Sequence, residues 1–319
     1  MRILVGDIGG SNTRLALFDG QGLATISLHR NDDIDDIYAL FTQYVEAQGP
    51  LDVAAIGVAG PLVDDSISMM NYGWTVSEGR LRTLLDCPVR LLNDFHAQAY
   101  GIPGLEESGW VGLDNLPHRP STHMAIIGAG TGLGEAMCLW YPMGWLPVAG
   151  EGSHGRFAPQ NESHIELLRG LQEQWPDHVS VERVVSGPGL LNTYDILRGT
   201  TPRHEALASG DPSAAITRLG LSRDCPIAVR TLDVFVDVFA DEAATLALKC
   251  AAGVVYLTGG IPPRLREVIA MRFRKAFENK GRYRSFMSSI PVRLVTEPYL
   301  GLLGAGAAGM EMLGHSVSS

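Results

Sequence analysis

Residues 1–20 read MRILVGDIGGSNTRLALFDG, and the turn inside this stretch decides the fold. The apolar run RILVGD (2–7) meets the Gly-rich segment IGGSN, after which TRLALFD (13–19) alternates, with Leu15 and Leu17 on one side and Ala16 and Phe18 on the other. Alternation is the period of a strand, so two strands joined by a tight glycine turn predict a β-hairpin. No GxxxxGK[ST] occurs in the chain, which excludes a P-loop. A dinucleotide fingerprint would have to open a helix, and here a strand follows. The turn contains no lysine. What remains is a bend whose glycines let backbone N–H groups come close to an anion.

The pattern returns at HMAIIGAGTGLGEAMCLWYP (123–142): strand, glycine turn, strand. One such turn alone would be an ordinary hairpin. Two at matching places point to phosphate binding, with Ser11, Asn12 and Thr131 adding side-chain donors. Each copy is followed by alternating strand and helix patterns. Strands are predicted at 52–61, 87–94, 254–260 and 291–295. Helices are predicted at 33–48, 162–175, 180–199 with a Gly-Pro break, 208–221, 228–251, 262–281 and 299–313. This predicts an α/β fold of two related lobes with a cleft between them, the boundary falling in the Gly/Pro/Ser-rich loop 104–123.

At 319 residues, with 45% apolar and 19% charged side chains, the chain can bury a core without disulfide or metal staples. A net charge of −10 argues against a nucleic-acid partner. It leaves room for a nucleotide, whose phosphates can be held by backbone amides and Mg²⁺. Cys87, Cys138, Cys225 and Cys250 lie far apart with no ligand spacing, so no structural zinc is expected, and scattered thiols suit the cytoplasm. Asp7 interrupts the first apolar run before a signal-peptide core can form, and no run of 18 apolar residues predicts a membrane span.

With no lysine in either turn, Asp7, at the end of a buried strand, is placed to orient a Mg²⁺ directly or through water. LTGGIPPR (257–264) is strand, Gly259-Gly260, then helix, where a flat ring can lie on the backbone. LLNDFHAQAYG puts Asn93 and Asp94 at the carboxyl end of a strand, the edge where ligands gather in α/β sheets. Asp94 there reads equally as a general base toward a hydroxyl or as a helix N-cap. Glu151 and His154 sit in the Gly-rich loop VAGEGSHGRF (148–157), which has no apolar face to bury them. Glu182 reads as an early-helix carboxylate, while His96, His164 and His178 are expected on solvated helix faces. The acidic run NDDIDDI (31–37) fails the calcium-loop pattern at Asp36 and Thr42 and is expected to be an acidic helix start. Carboxylates, an amide and an imidazole, without a nucleophilic triad, suit a polyhydroxyl ligand. Together with phosphate turns they suggest phosphoryl transfer to a sugar.

The ordered set GDIGGSNTR, LLNDF, GAGTGLG, GEGSHGRF, ERVVSGPG, LTGGIPPR and GLLGAGA resembles the bacterial glucokinase family over almost the whole chain. The resemblance implies the ribonuclease H-like, actin-like ATPase fold and ATP-dependent phosphorylation of glucose at its 6-hydroxyl. It implies Asp94 as catalytic base and Asn71, Asn93, Glu151, His154 and Glu182 as sugar ligands. It further implies ATP contacts from Gly6, Asp7, Ile8, Gly9, Gly10, Ser11 and Asn12, from Gly130, Thr131 and Gly132, and from Gly259 and Gly260. It implies a discontinuous small lobe of 1–110 plus about 301–319, a large lobe of 111–300, and a homodimer. Ser11 stands where the family usually has Thr, Tyr72 where it often has His, and Gly155-Arg156 where it often has Val-Asp; the last two could alter sugar preference. The zinc-binding Cys cluster of the ROK sugar kinases is absent, which places the chain outside that branch. Other readings on the same fold are a kinase for another hexose such as mannose, a catalytically idle sugar sensor, and an assembling ATPase.

Overall fold

β1 (Ile3–Ile8) and β2 (Asn12–Phe18) form the predicted hairpin, in antiparallel register from Ile3↔Phe18 to Ile8↔Thr13. The structure is a computed structural model and describes residues 1–69, 71–117, 119–208 and 210–314. β3 (Leu23–Arg30) extends the hairpin, and α1 (Ile37–Gln48) crosses over to β4 (Val53–Val58), parallel to β1. A small antiparallel sheet of β5 (Leu62–Val63), β6 (Ser66–Met69) and β7 (Trp74–Ser77) precedes α2 (Glu78–Leu85). β8 (Val89–Asn93) then pairs parallel with β4 and leads into α3 (Asp94–Gly101). The strand order is β3-β2-β1-β4-β8.

The second cycle repeats this order. After β9 (Trp110–Gly112) come β10 (Met124–Ala129), β11 (Leu133–Tyr141) and β12 (Gly144–Gly150). The helices α4 (Glu162–Gln174), α5 (Gly187–Leu197), α6 (Pro212–Leu221) and α7 (Pro226–Lys249) carry the chain to β13 (Val254–Thr258), parallel to β10. α8 (Arg266–Phe277) and the single turn α9 (Arg284–Met287) lead to β14 (Val292–Val295), and α10 (Leu300–Met312) follows. The sheet runs β12-β11-β10-β13-β14-β9. In both sheets a glycine-turn hairpin is followed by two parallel crossovers.

β4 and β10 are buried at every position, the continuous apolar run expected where both sheet faces are covered. Alternation along β1 splits two cores. Leu4 and Ile8 pack with Phe41, Tyr44 and Ile56; Ile3 and Val5 pack with Ala97, Leu302 and Ala305. Asp7 shares the face of Ile3 and Val5 and so points toward α10. There a Cβ on Gly301 would lie 3.1 Å from the Asp7 carboxyl carbon. Any Cβ on Gly304 would collide with the Ala97 carbonyl, so α10 and α3 meet backbone to backbone at Ala97 and Gly101.

The chain divides into two compact units: Met1–Gly109 with Ala136–Gly150 and Glu297–Ser319, and Trp110–Glu135 with Glu151–Thr296. This differs from the expected lobes at Ala136–Gly150, because Cys138 Sγ donates to Ala99 O (3.0 Å) and β12 packs on α3. Residues 315–319, part of the expected small lobe, lie outside the described residues.

The acidic run is not a helix start as expected: Asn31–Asp33 is a 3-10 turn, and α1 begins only after Asp36, whose side chain accepts from Tyr38 N. His164 is buried rather than solvated, its ring 5.9 Å from that of Phe157. His178 is exposed but lies outside any helix. Among the described residues, no helix is long and apolar enough to cross a membrane.

Candidate active site

The first glycine turn is held from outside. Asn31 Nδ2 donates to Gly9 O (2.8 Å), Tyr72 Oη to Gly10 O (3.0 Å), and Asn31 N to Ser11 O (3.0 Å). Gly9 N closes the turn on Asn12 O (2.9 Å). Gly6 and Ile8 are buried strand positions paired with Leu15 and Thr13, whereas Asp7 and residues 9, 10 and 12 are half-buried and Ser11 is exposed. Asp7 pairs with Arg14 at 3.1 Å. Burial pushes its carboxyl above the usual range, and the Arg14 guanidinium opposes that rise.

The second turn is held mainly by backbone. Gly130 N donates to Gly132 O (2.8 Å), Gly187 N to Gly130 O (2.8 Å), and Ile261 N to Ala129 O (3.1 Å). The last bond ties Gly259-Gly260 to this turn. Gly259 has φ +87° and lies so close to Ala129 that a Cβ would collide with its backbone, so only glycine fits. Gly260 and Gly130 have open space where a Cβ would be.

At the start of α3 the two readings of Asp94 separate. Asn93 is the N-cap: its Oδ1 accepts from Phe95 N (2.9 Å) and His96 N (3.1 Å), and its Nδ2 donates to Gly60 O (3.0 Å). Asp94 is the first helical residue, half-buried, with Oδ1 accepting from Phe95 N (3.0 Å). Asn93 therefore caps the helix with two bonds, and Asp94 shares the Phe95 N–H with it. Asn93 keeps one amide hydrogen for a ligand. Asn71 is exposed in the turn between β6 and β7.

In the other unit, Glu151 precedes the 3-10 turn Gly152–His154 that ends on His154, with His154 Nε2 3.7 Å from Glu151 Oε2 and both side chains more than half exposed. Glu182 is not a simple helix-start carboxylate. Its Oε2 accepts from Leu133 N (2.9 Å), and a Cβ on Gly132 would lie 2.6 Å from it. Val181 N donates to Gly155 O (3.0 Å), so Glu182 joins the second turn to the loop after His154. Beneath that loop Glu135 is buried, and a Cβ on Gly152 would collide with its Oε2. Burial, with Glu242 beside it, pushes the Glu135 carboxyl up to about 8. Burial also raises Glu242, with Lys249 opposing.

Residues 4–312 match the glucokinase family model. A glucokinase of Yersinia pestis (strain Pestoides F) is 37% identical, the alignment covering 99% of this chain and 98% of the relative. The chain belongs to the glucokinase family. The crystal structure of a glucokinase from an Antarctic psychrotroph superposes with a TM-score of 0.82 at 29% identity, covering 96% of this chain and 98% of that one. A ROK-family glucokinase from Streptomyces griseus, in complex with glucose and AMPPNP, gives 0.69 at 20% identity over 97% and 99% of the chains, a likeness of fold. The duplicated hairpin sheets are thus those of the two-lobed, actin-like sugar kinases. Asn31, Tyr72 and Glu135 bear on this family's glycine turns and loop, yet carry no motif. The alternation of 23–30, LATISLHR, was the available signal for Asn31, because a third strand returns residue 31 to the turn.

Proposed function

We propose that this member of the glucokinase family transfers the γ-phosphoryl group of ATP to the 6-hydroxyl of D-glucose with Asp94 as the general base. The observation that carries this is the start of α3, where Asn93 is the N-cap and Asp94, the first helical residue, stands half-buried at the carboxyl end of β8. The Asp94 carboxylate takes the hydroxyl proton while the sugar oxygen bonds to the γ-phosphorus. The bond from that phosphorus to its bridging oxygen breaks, and ADP leaves with the electron pair. Asn71, Asn93, Glu151, His154 and Glu182 hold the sugar hydroxyls. The amides of residues 9–12, the turn 130–132 and Gly259-Gly260 hold ATP.

Among the described residues, no three His, Cys, Asp or Glu side chains are grouped to hold a metal. Asp7, at the end of β1 beside the first turn, has its Oδ2 against Arg14. That donor set suits a Mg²⁺ delivered with ATP and met by Asp7 through water, since Mg²⁺ keeps much of its hydration. The ion supplies charge neutralisation on the phosphates.

The test is a coupled assay of glucose 6-phosphate formation, with mannose, fructose and N-acetylglucosamine as competitors. Glucose turned over in preference to the others is the expected result. Glucose binding without turnover would support the sugar-sensing reading, and preference for another hexose would correct the substrate.

A further inference from the structure

Asn31 and Tyr72 have no ligand role above, yet between them they supply three bonds to the first turn. The turn has no lysine, so its phosphate affinity rests on where its N–H groups point. In a planar trans peptide, a carbonyl and the N–H that follows it point in opposite directions. Asn31 and Tyr72 draw the carbonyls of Gly9, Gly10 and Ser11 to themselves. The N–H groups of Gly10, Ser11 and Asn12 therefore each face away from the donor that holds the preceding carbonyl. That is the arrangement of an anion-binding nest.

The two anchors are themselves fixed. Asn31 is 1% exposed, and its Oδ1 accepts from Thr13 Oγ1 at 2.8 Å. With Oδ1 committed, the amide cannot flip, and Nδ2 must face Gly9 O. The Tyr72 ring stacks on Trp74 with centroids 4.8 Å apart, which holds its hydroxyl toward Gly10. Tyr72 also neighbours Asn71, so this bond joins the turn carrying a proposed sugar ligand to the phosphate turn.

We infer that Asn31 and Tyr72 are positioning residues for ATP: by holding back the three carbonyls they aim the amides of residues 10–12 at its phosphates. This rests on reading that turn as a phosphate loop. Asn31→Asp replaces the donor facing Gly9 O with an acceptor at nearly equal volume and keeps the acceptor for Thr13. Tyr72→Phe removes one hydroxyl and keeps the stack.

The experiment pairs steady-state kinetics of both variants with amide hydrogen exchange of residues 8–14 in the parent, with and without Mg·AMPPNP. Nucleotide-dependent protection is expected in the parent. Tyr72→Phe should raise the KM for ATP about 3-fold, the scale of a lost neutral hydrogen bond, and Asn31→Asp about 10-fold, because its carboxylate also repels the Gly9 carbonyl. The KM for glucose in Asn31→Asp should change far less. Parent protection combined with an unchanged ATP KM in the variants overturns the positioning role, as does a lower melting temperature with no separation of the two KM values. A parent that turns over ATP without protection at this turn overturns the phosphate-loop reading and this inference with it. If Asn31→Asp does not fold, Tyr72→Phe decides.

Discussion

The two glycine turns occupy equivalent places in equivalent sheets, but they are supported differently. The first is held from 20 or more residues away by Asn31 and Tyr72, which take up the carbonyls of residues 9–11. The second is held by backbone bonds to residues 187 and 261 and by one carboxylate, Glu182. The duplicated topology fixes where a turn lies; it does not fix how its peptides point. Orientation depends on neighbours that a fold-level repeat leaves open.

Substitutions at five positions around the second turn would sharpen or break this contrast. The largest effect on stability is expected for Gly259→Ala, since the left-handed backbone and the collision with Ala129 together cost about 3 kcal/mol or more. Denaturant unfolding would measure it, with Gly260→Ala, where space is open, as the near-neutral control. Glu182→Ala leaves the Leu133 N–H without its acceptor beside a buried side chain and should destabilise by about 1–3 kcal/mol. Glu182→Gln, which keeps an acceptor, should recover most of that. Equal losses in both variants would mean that charge, rather than the bond, supports the turn.

The third prediction concerns pH. The Glu135 carboxyl, on the strand leaving the second turn, is pushed from 4.5 to about 8 by burial and by Glu242. Between these values the unfolded chain has lost the proton and the folded protein keeps it. The folded state binds more protons, so stability falls as pH rises through this window, by up to about 1.4 kcal/mol per pH unit. Glu135→Gln removes that slope. The melting temperature of the variant relative to the parent should rise from pH 5 to pH 8, and parallel profiles would show that Glu135 is already ionised. The smallest stability effect is expected for Gly130→Ala, within about 0.5 kcal/mol, because a Cβ there meets nothing within 4 Å. Its KM for ATP should nonetheless rise if the turn meets phosphates.

The hairpin pair was legible because alternation and glycines are local signals. So was the start of α3, where a strand ends in Asn93-Asp94, although the structure was needed to assign the cap to Asn93. β3, β5 to β7, α2 and β12 lacked such clear patterns. Asn31 looked like part of an acidic helix start, because the alternation at 23–30 marks a strand without showing that its pairing with β2 returns residue 31 to residue 9. His164 looked solvated because its burial depends on Phe157, which lies outside its helix. The meeting of Glu135 with Glu242 depends on α7, more than a hundred residues on, packing against the neighbouring β10. In each case the missing information was long-range packing.

The most direct test of the account is the Asp94→Asn variant, measured for glucose binding by calorimetry and for turnover by the coupled assay. Loss of a general base predicts an intact fold, glucose affinity near that of the parent, and turnover lower by about 10²–10⁴-fold. Turnover near that of the parent would contradict the assignment of Asp94 as the base.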